Sequence, residues 1–402
     1  MTRNLLFVAV LAGASAAMAQ SVAGLWDASV TVNGLEIPFR LELSGSGSSV
    51  EGAFFNGDER VTSTSGRLAP EGGLLVTFDY LGAKLEAHWK DGALEGQYTR
   101  SGHPYPFRAR RSSPAAAAAK DVPSIAGLWE IGTKSSKGES AWHLIVRQSG
   151  AEVSAAILRV DGDTGTLTGA WREGKFVLSH FSGARPSLLE LTPAADGSLV
   201  VVQNGRNPMT ALRPADARAK GLPGPEDPSQ HTSVKDPGEP FHFRFPDLDG
   251  RLVADTDPLF RNKVVIVAIS GSWCPNCHDE APFLEDLYRK YHGAGLEIVA
   301  LSFEEADQLE NPVRLRAFIR KYGIEYPVLL AGETGELNAK IPQAVNLNAW
   351  PTTFYLGRDG RVREVHAGFA AKASGEFHRQ LTEEVTALVE RLLSEPAAAR
   401  SF

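Results

Sequence analysis

The stretch KVVIVAISGSWCPNCH, Lys263 to His278, decides how the C-terminal part of this chain is read. Lys263 to Ser270 form a continuous apolar run with several β-branched residues, as expected of a strand buried on both faces of a sheet. Cys274 and Cys277 follow, and then a helical spacing through Phe283, Leu284, Leu287, Tyr288 and Tyr291. The cysteines admit two readings. Cys274-Pro275-Asn276-Cys277 is a redox dithiol in a suitable fold, whereas Cys274-x-x-Cys277-His278 is equally the pattern of covalent haem c attachment.

Downstream, strand and helix patterns alternate. A strand (Leu296 to Phe303), a helix (Val313 to Tyr322), a strand (Pro327 to Leu330), a strand pair (Thr352 to Leu356, Val362 to Ala367) and an amphipathic helix (Phe377 to Leu393) call for an α/β sheet with helices on both faces. Upstream the pattern differs. Ser21-Val22-Ala23-Gly24-Leu25-Trp26-Asp27 recurs as Ser124-Ile125-Ala126-Gly127-Leu128-Trp129-Glu130, and further landmarks follow in register, so this region reads as a duplicated domain. Each copy alternates apolar and polar residues in short runs separated by turns such as Asn33-Gly34, Asp91-Gly92, Asp161-Gly162 and Asp196-Gly197. Strands at that spacing predict a small all-β barrel or sandwich, with the repeated Trp closing one end of its core.

At 402 residues the chain exceeds one core. The reading is multi-domain: a signal peptide at 1–19, β repeats at 20–111 and 123–214, linkers at 112–122 and 215–240, and an α/β domain at 241–395. The second linker, rich in Pro, Gly and charge, is expected to be extended and mobile. A net charge of -7 excludes nucleic acid as the main partner, since that calls for a basic excess. Arg3, the apolar run Leu5 to Leu11 and Ala17-Met18-Ala19 have the layout of a cleavable export signal, too short to serve as a membrane anchor. An exported chain of this length with two Cys, two residues apart, uses them for reaction rather than as a staple.

The combination of the buried strand, Ser272-Trp273-Cys274-Pro275-Asn276-Cys277, Pro282, and Trp350-Pro351-Thr352-Thr353-Phe354 resembles thioredoxin-fold oxidoreductases. Phe245-Pro246-Asp247-Leu248-Asp249-Gly250 and Glu280 in Cys-His-Asp-Glu-x-Pro mark the resemblance as TlpA/ResA-like, over residues 241–395. It implies thiol-disulfide exchange with protein thiols and disulfides, a reversible Cys274–Cys277 disulfide, no metal and no cofactor. It also implies a membrane electron donor or acceptor, and reduction rather than oxidation of substrates. Cys274, at the positive end of the helix dipole, is the expected nucleophile and Cys277 the resolving thiol. Thioredoxins keep an Asp six residues before the first Cys; here that residue is Ala268, and the acid/base carried over is Glu280. Pro275, Asn276 and His278 are expected to tune the dithiol, with solvent as the other reading for His278. Trp273, Trp350, Pro351 and Thr352 are expected to form the substrate contact, with Pro351 in a cis-proline loop that leaves backbone free to pair with an extended segment.

Three other readings compete. Haem c would take His278 as one axial ligand and His292 or His366 as the distal one, since Met209 lies in the β-rich half and Met1 and Met18 lie in the signal peptide. Peroxidases of related fold place Thr or Ser three residues before the reactive Cys, where this chain has Gly271. In the third reading the β repeats bind a ligand or partner in the cell envelope and the dithiol is accessory.

Overall fold

Residues 22–113 and 121–396 are described by the computed structural model. The expected signal peptide and part of the first linker lie outside them. Two compact units form: one takes the chain up to Trp129 with Ile145–Ala156 and Thr164–Leu212, and the other takes Glu130–Leu144, Ile157–Asp163 and the chain from Arg213 onward.

Each β repeat is a barrel of eight antiparallel strands with one short extra strand. In the first repeat, Leu35–Ser46 shows why. Ile37, Phe39, Leu41 and Leu43 are buried while Glu36, Pro38 and Arg40 are exposed, the period-two pattern of a sheet with one dry face. Gly24–Val32 pairs with both Leu35–Ser46 and His103–Arg111, and Leu35–Ser46 also pairs with Ser49–Asn56, so the sheet closes on itself. Closure leaves no exposed edge. Asn33-Gly34 and Asp91-Gly92 both have positive φ at the two central positions, as two-residue hairpins require. The second repeat has the same strand order and the same closing pair. Trp26 donates its indole N–H to the Val22 carbonyl at 2.9 Å, and Trp129 donates to Ile125 at 2.8 Å, the same contact 103 residues on.

The first barrel is filled by its own side chains and one borrowed ring. Phe181 stacks on Phe39 at 4.3 Å between centroids and meets Phe54 and Tyr98 edge-on. Asn56 holds it like a strand partner, donating to the Phe181 carbonyl and accepting from its N–H, both bonds buried. Gly183 follows at φ +82, where a Cβ would stand 2.7 Å from the Tyr98 hydroxyl. Packing therefore requires glycine there twice over, for space and for φ.

The C-terminal region carries a five-stranded sheet. Its strands are β1 (Val264–Ser270), β2 (Leu296–Glu304), β3 (Val328–Glu333), β4 (Thr352–Leu356) and β5 (Val362–Ala367), in the order β3-β2-β1-β4-β5. β1 pairs parallel with β2 and antiparallel with β4. Val265, Val267 and Ile269 pack with Phe241, Phe243 and Phe354 in the core on one face, and Val264, Ile266 and Ala268 are equally buried on the other. That is why the run lacks alternation. The principal helices are α1 (Pro275–Tyr291), α2 (Val313–Tyr322) and α3 (Glu376–Ser394). Helix α1 continues past Pro282.

The segment expected to be a mobile linker is in fact packed. It contains short helices at Pro214–Ala219 and Pro228–His231, and Ser233–Val234 pairs with Ala344–Val345. His231 is buried, its Nε2 2.6 Å from Asn348 Oδ1 and its carbonyl accepting from Asn346. Composition misled because proline and charge are compatible with short capped turns as well as with open chain.

Truncating Phe181 to Ala removes the ring that completes the first barrel's aromatic core. The chain should lose about 3–5 kcal/mol of stability in denaturant unfolding. A loss under about 1 kcal/mol would show that the barrel does not depend on this ring.

Candidate active site

The chain leaves β1, turns at Gly271-Ser272-Trp273 and enters α1 with Cys274 as its N-cap and Pro275 in the first turn. Proline there gives up an N–H that would have had no partner. The Cys274 Sγ accepts from the Cys277 N–H at 3.3 Å, and the two sulfurs are unjoined. Both cysteines are buried; Cys274 is only 3% exposed.

The approach to Cys274 is fixed at one residue, Ser272. Its N–H donates to Glu304 at 2.7 Å, its hydroxyl donates to the other Glu304 oxygen at 2.7 Å, and its carbonyl is 2.9 Å from His278 Nε2. Arg314 of α2 completes the cluster, donating to the Ser272 hydroxyl at 2.8 Å and pairing with Glu304 at 2.9 Å, all of it buried. Sequence reasoning missed this cluster. The available signal was Glu304 itself, a carboxylate closing a strand whose stretch Ile298–Leu301 is apolar.

His278 does not point to solvent. Its ring is buried against Phe318 and Tyr322, with Nδ1 3.0 Å from the Tyr322 hydroxyl. Both ring nitrogens are engaged in protein hydrogen bonds, so the residue the haem reading needs as axial ligand is committed elsewhere. Gly271 is equally constrained. A Cβ there would lie 2.4 Å from the Trp273 ring nitrogen and 2.7 Å from the Phe303 carbonyl, which leaves no room for the Thr or Ser of a peroxidase.

Behind the dithiol, Cys277, Glu280, Ala268, Ser302 and Tyr326 line one small cavity. Glu280 is buried and accepts from Thr353 of β4 at 2.7 Å. Burial pushes its carboxyl up to about 7, against a smaller opposing pull from the Thr353 hydroxyl. Burial also raises the Cys277 thiol well above its ordinary value, with the Cys274 hydrogen bond and the Cys274 and Glu280 charges acting in the same direction. Each group prefers to be neutral, so a proton passed between them stays out of bulk water. Ala268, where a carboxylate was absent from the sequence pattern, lines the same cavity as the carboxylate that α1 supplies.

On the substrate side, the Trp350–Pro351 peptide is cis. Trp273 and Trp350 meet edge to face at 5.2 Å, and the Trp273 indole N–H donates to the Phe303 carbonyl. Thr352 is fully buried and its hydroxyl donates to the Ala349 carbonyl, so the loop itself uses that side chain. Asn276 extends away from the sulfurs to the Asp161 carbonyl.

Comparison with known proteins identifies the family. Residues 237–365 match the model of the AhpC/TSA family. The thiol-disulfide oxidoreductase ResA of Bacillus thuringiensis strain Al Hakam is 30% identical over 131 residues, covering 33% of this chain and 69% of that protein. The chain belongs to the ResA thiol-disulfide oxidoreductase family. ResA of Bacillus subtilis strain 168 is 26% identical over 136 residues, 34% of this chain and 69% of that protein. A solved thiol:disulfide interchange protein of the thioredoxin family from Chlorobium tepidum is 26% identical, with coverage of 40% of this chain and 100% of that one at a TM-score of 0.30. The AhpC/TSA match at residues 237–365 contains the dithiol, Glu280 and the cis-proline loop, and the two barrels precede it.

Two predictions follow from the buried charges. The folded-state value of Glu280, about 7, lies above the ordinary carboxylate value. The folded chain therefore holds that proton more tightly, and this contribution to stability is complete below about pH 4 and lost as pH rises through about 7. In urea unfolding from pH 4.5 to 8, Glu280→Gln should lose about 3 kcal/mol less than wild type; equal slopes would contradict the burial argument. Arg314→Met leaves Glu304 buried without its cation and should cost about 3–5 kcal/mol. A near-neutral result would mean that Ser272 and Ser302 suffice to hold Glu304.

Proposed function

We propose that this chain is an exported thiol-disulfide reductant that acts on protein disulfides through Cys274 and Cys277. The observation that carries the reading is the arrangement of an N-capping Cys274, a resolving Cys277 beside a proton-holding Glu280, and a cis-proline loop within one site. In the reaction the Cys274 thiolate attacks a substrate sulfur, forming a mixed disulfide and releasing one substrate thiolate. Glu280 then takes the Cys277 proton, and Cys277 attacks Cys274 Sγ. The second substrate thiolate leaves, and the Cys274–Cys277 disulfide retains the oxidising equivalent. An external dithiol, presented by a membrane protein, supplies the two electrons that restore the starting state.

The direction of electron flow rests on the resemblance to the TlpA/ResA-like branch. Strong oxidants stabilise their reduced form as a thiolate on the attacking cysteine. Here burial keeps the resolving thiol, Cys277, neutral, so it adds no such stabilisation of its own. Export rests on the N-terminal sequence pattern. Among the described residues no helix is long and apolar enough to cross a membrane. The first barrel's core is filled with side chains, so we assign the repeats a role in partner or substrate selection rather than in enclosing a ligand.

Cys274→Ser should abolish exchange with a small aromatic disulfide, and Cys277→Ser should accumulate a mixed disulfide visible by mass. Glu280→Gln should slow release from that intermediate by about 10²-fold or more while first attack persists. Full turnover in Cys274→Ser would refute the mechanism.

A further inference from the structure

The tip of one β hairpin reaches the dithiol face. Residues Ile157–Asp163 belong to the same compact unit as the C-terminal sheet. Leu158 pairs with Asp163 and Arg159 with Gly162, so Val160 and Asp161 form the turn. Val160 is 2% exposed and packs with Ala349, one residue before Trp350, and with Ala367 at the end of β5. The Asp161 carbonyl accepts from Asn276, the residue between the cysteines.

Two glycines allow backbone to meet backbone here. Gly162 has φ +117, and a Cβ on it would stand 2.6 Å from the Phe369 carbonyl and 2.9 Å from Asn276 Nδ2. Gly368 has φ +70, and a Cβ on it would stand 2.2 Å from the Val160 carbonyl. Gly368 in turn donates its N–H to the Pro351 carbonyl at 2.7 Å. The tip is braced from behind and beside: Val160 N–H donates to Glu139 at 2.7 Å, Lys137 pairs with Asp161, and Ser374 donates to Asp163 at 2.6 Å.

We propose that the Val160–Gly162 tip is a substrate-selecting gate. This rests on the oxidoreductase reading above. The tip lies against the inter-cysteine dipeptide, the residue before Trp350 and the turn after β5, which is itself hydrogen-bonded to the cis-proline loop. A protein disulfide must lay a length of chain beside these segments to present its sulfur, and the tip already lies there. A small disulfide needs only a path to Cys274. The rate with proteins therefore scales with the fraction of molecules whose tip has lifted, and the rate with small disulfides depends on it far less.

The test uses the reduced full chain with oxidised insulin as the protein disulfide and oxidised glutathione as the small one. Gly162→Ala forces the tip from Phe369 and Asn276, and Ser374→Ala removes one brace without touching the dithiol segments. Insulin exchange should rise about tenfold or more in Gly162→Ala and about threefold in Ser374→Ala, with glutathione exchange changed less than about twofold. If Gly162→Ala fails to fold, Ser374→Ala decides alone. Insulin rates unchanged or lowered in the folded variants would overturn the gate. If Cys274→Ser retained glutathione exchange, the oxidoreductase reading itself would fail, whereas Cys274-dependent glutathione exchange with unaltered insulin selectivity removes only the gate.

Discussion

A carboxyl group kept from water beside a thiol kept from water is the constraint on which the dithiol site depends. Glu280 and Cys277 line one cavity, and the hydroxyl that Glu280 accepts from, on Thr353, is neutral. In such a place a second negative charge is strongly disfavoured, which is why the proposed exchange moves one proton between them. The apolar run Val264–Ile269 of β1 packs the site, Ala268 keeps the sheet side free of a competing carboxylate, and Thr353 fixes the carboxyl with a neutral hydroxyl.

A second buried carboxylate behaves differently because its surroundings differ. Glu304 lies at the end of β2 with Arg314, Ser302 and two donors from Ser272 around it. Its charge is matched, and its role is to fix the turn that presents Cys274. Isolation suits Glu280 to holding a proton, whereas the paired Glu304 serves as an anchor.

The parts of this arrangement written locally were legible in the sequence. The strand at Lys263–Ser270, the Cys pair before a helical spacing, and the duplicated Gly-x-Trp with its barrels could be read from spacing and residue type, whereas Glu280 was singled out by the resemblance to the TlpA/ResA-like pattern. What was hidden depends on contacts distant in sequence. Arg314 meets Ser272 across 42 positions, Thr353 meets Glu280 across 73, and Asn276 meets Asp161 across 115. Asp161-Gly162 read as a turn, one residue beyond the observed Val160-Asp161 turn, but no local pattern says what a turn touches. His278 was ambiguous for the same reason, since its partners Ser272 and Tyr322 lie on separate elements. Duplication also hid divergence: the two barrels share the Trp contact to a carbonyl four residues back, yet it is the second repeat that supplies Phe181 to the first barrel's aromatic core.

The reduction potential of the Cys274/Cys277 couple tests the account most directly. It can be read by equilibrating the full chain in dithiol buffers and quantifying the trapped free thiols. The proposed role as a reductant predicts a couple near thioredoxin's value of about -270 mV. A value near about -120 mV would mean that the reduced form is the stabilised one, and the assignment as a reductant would be wrong.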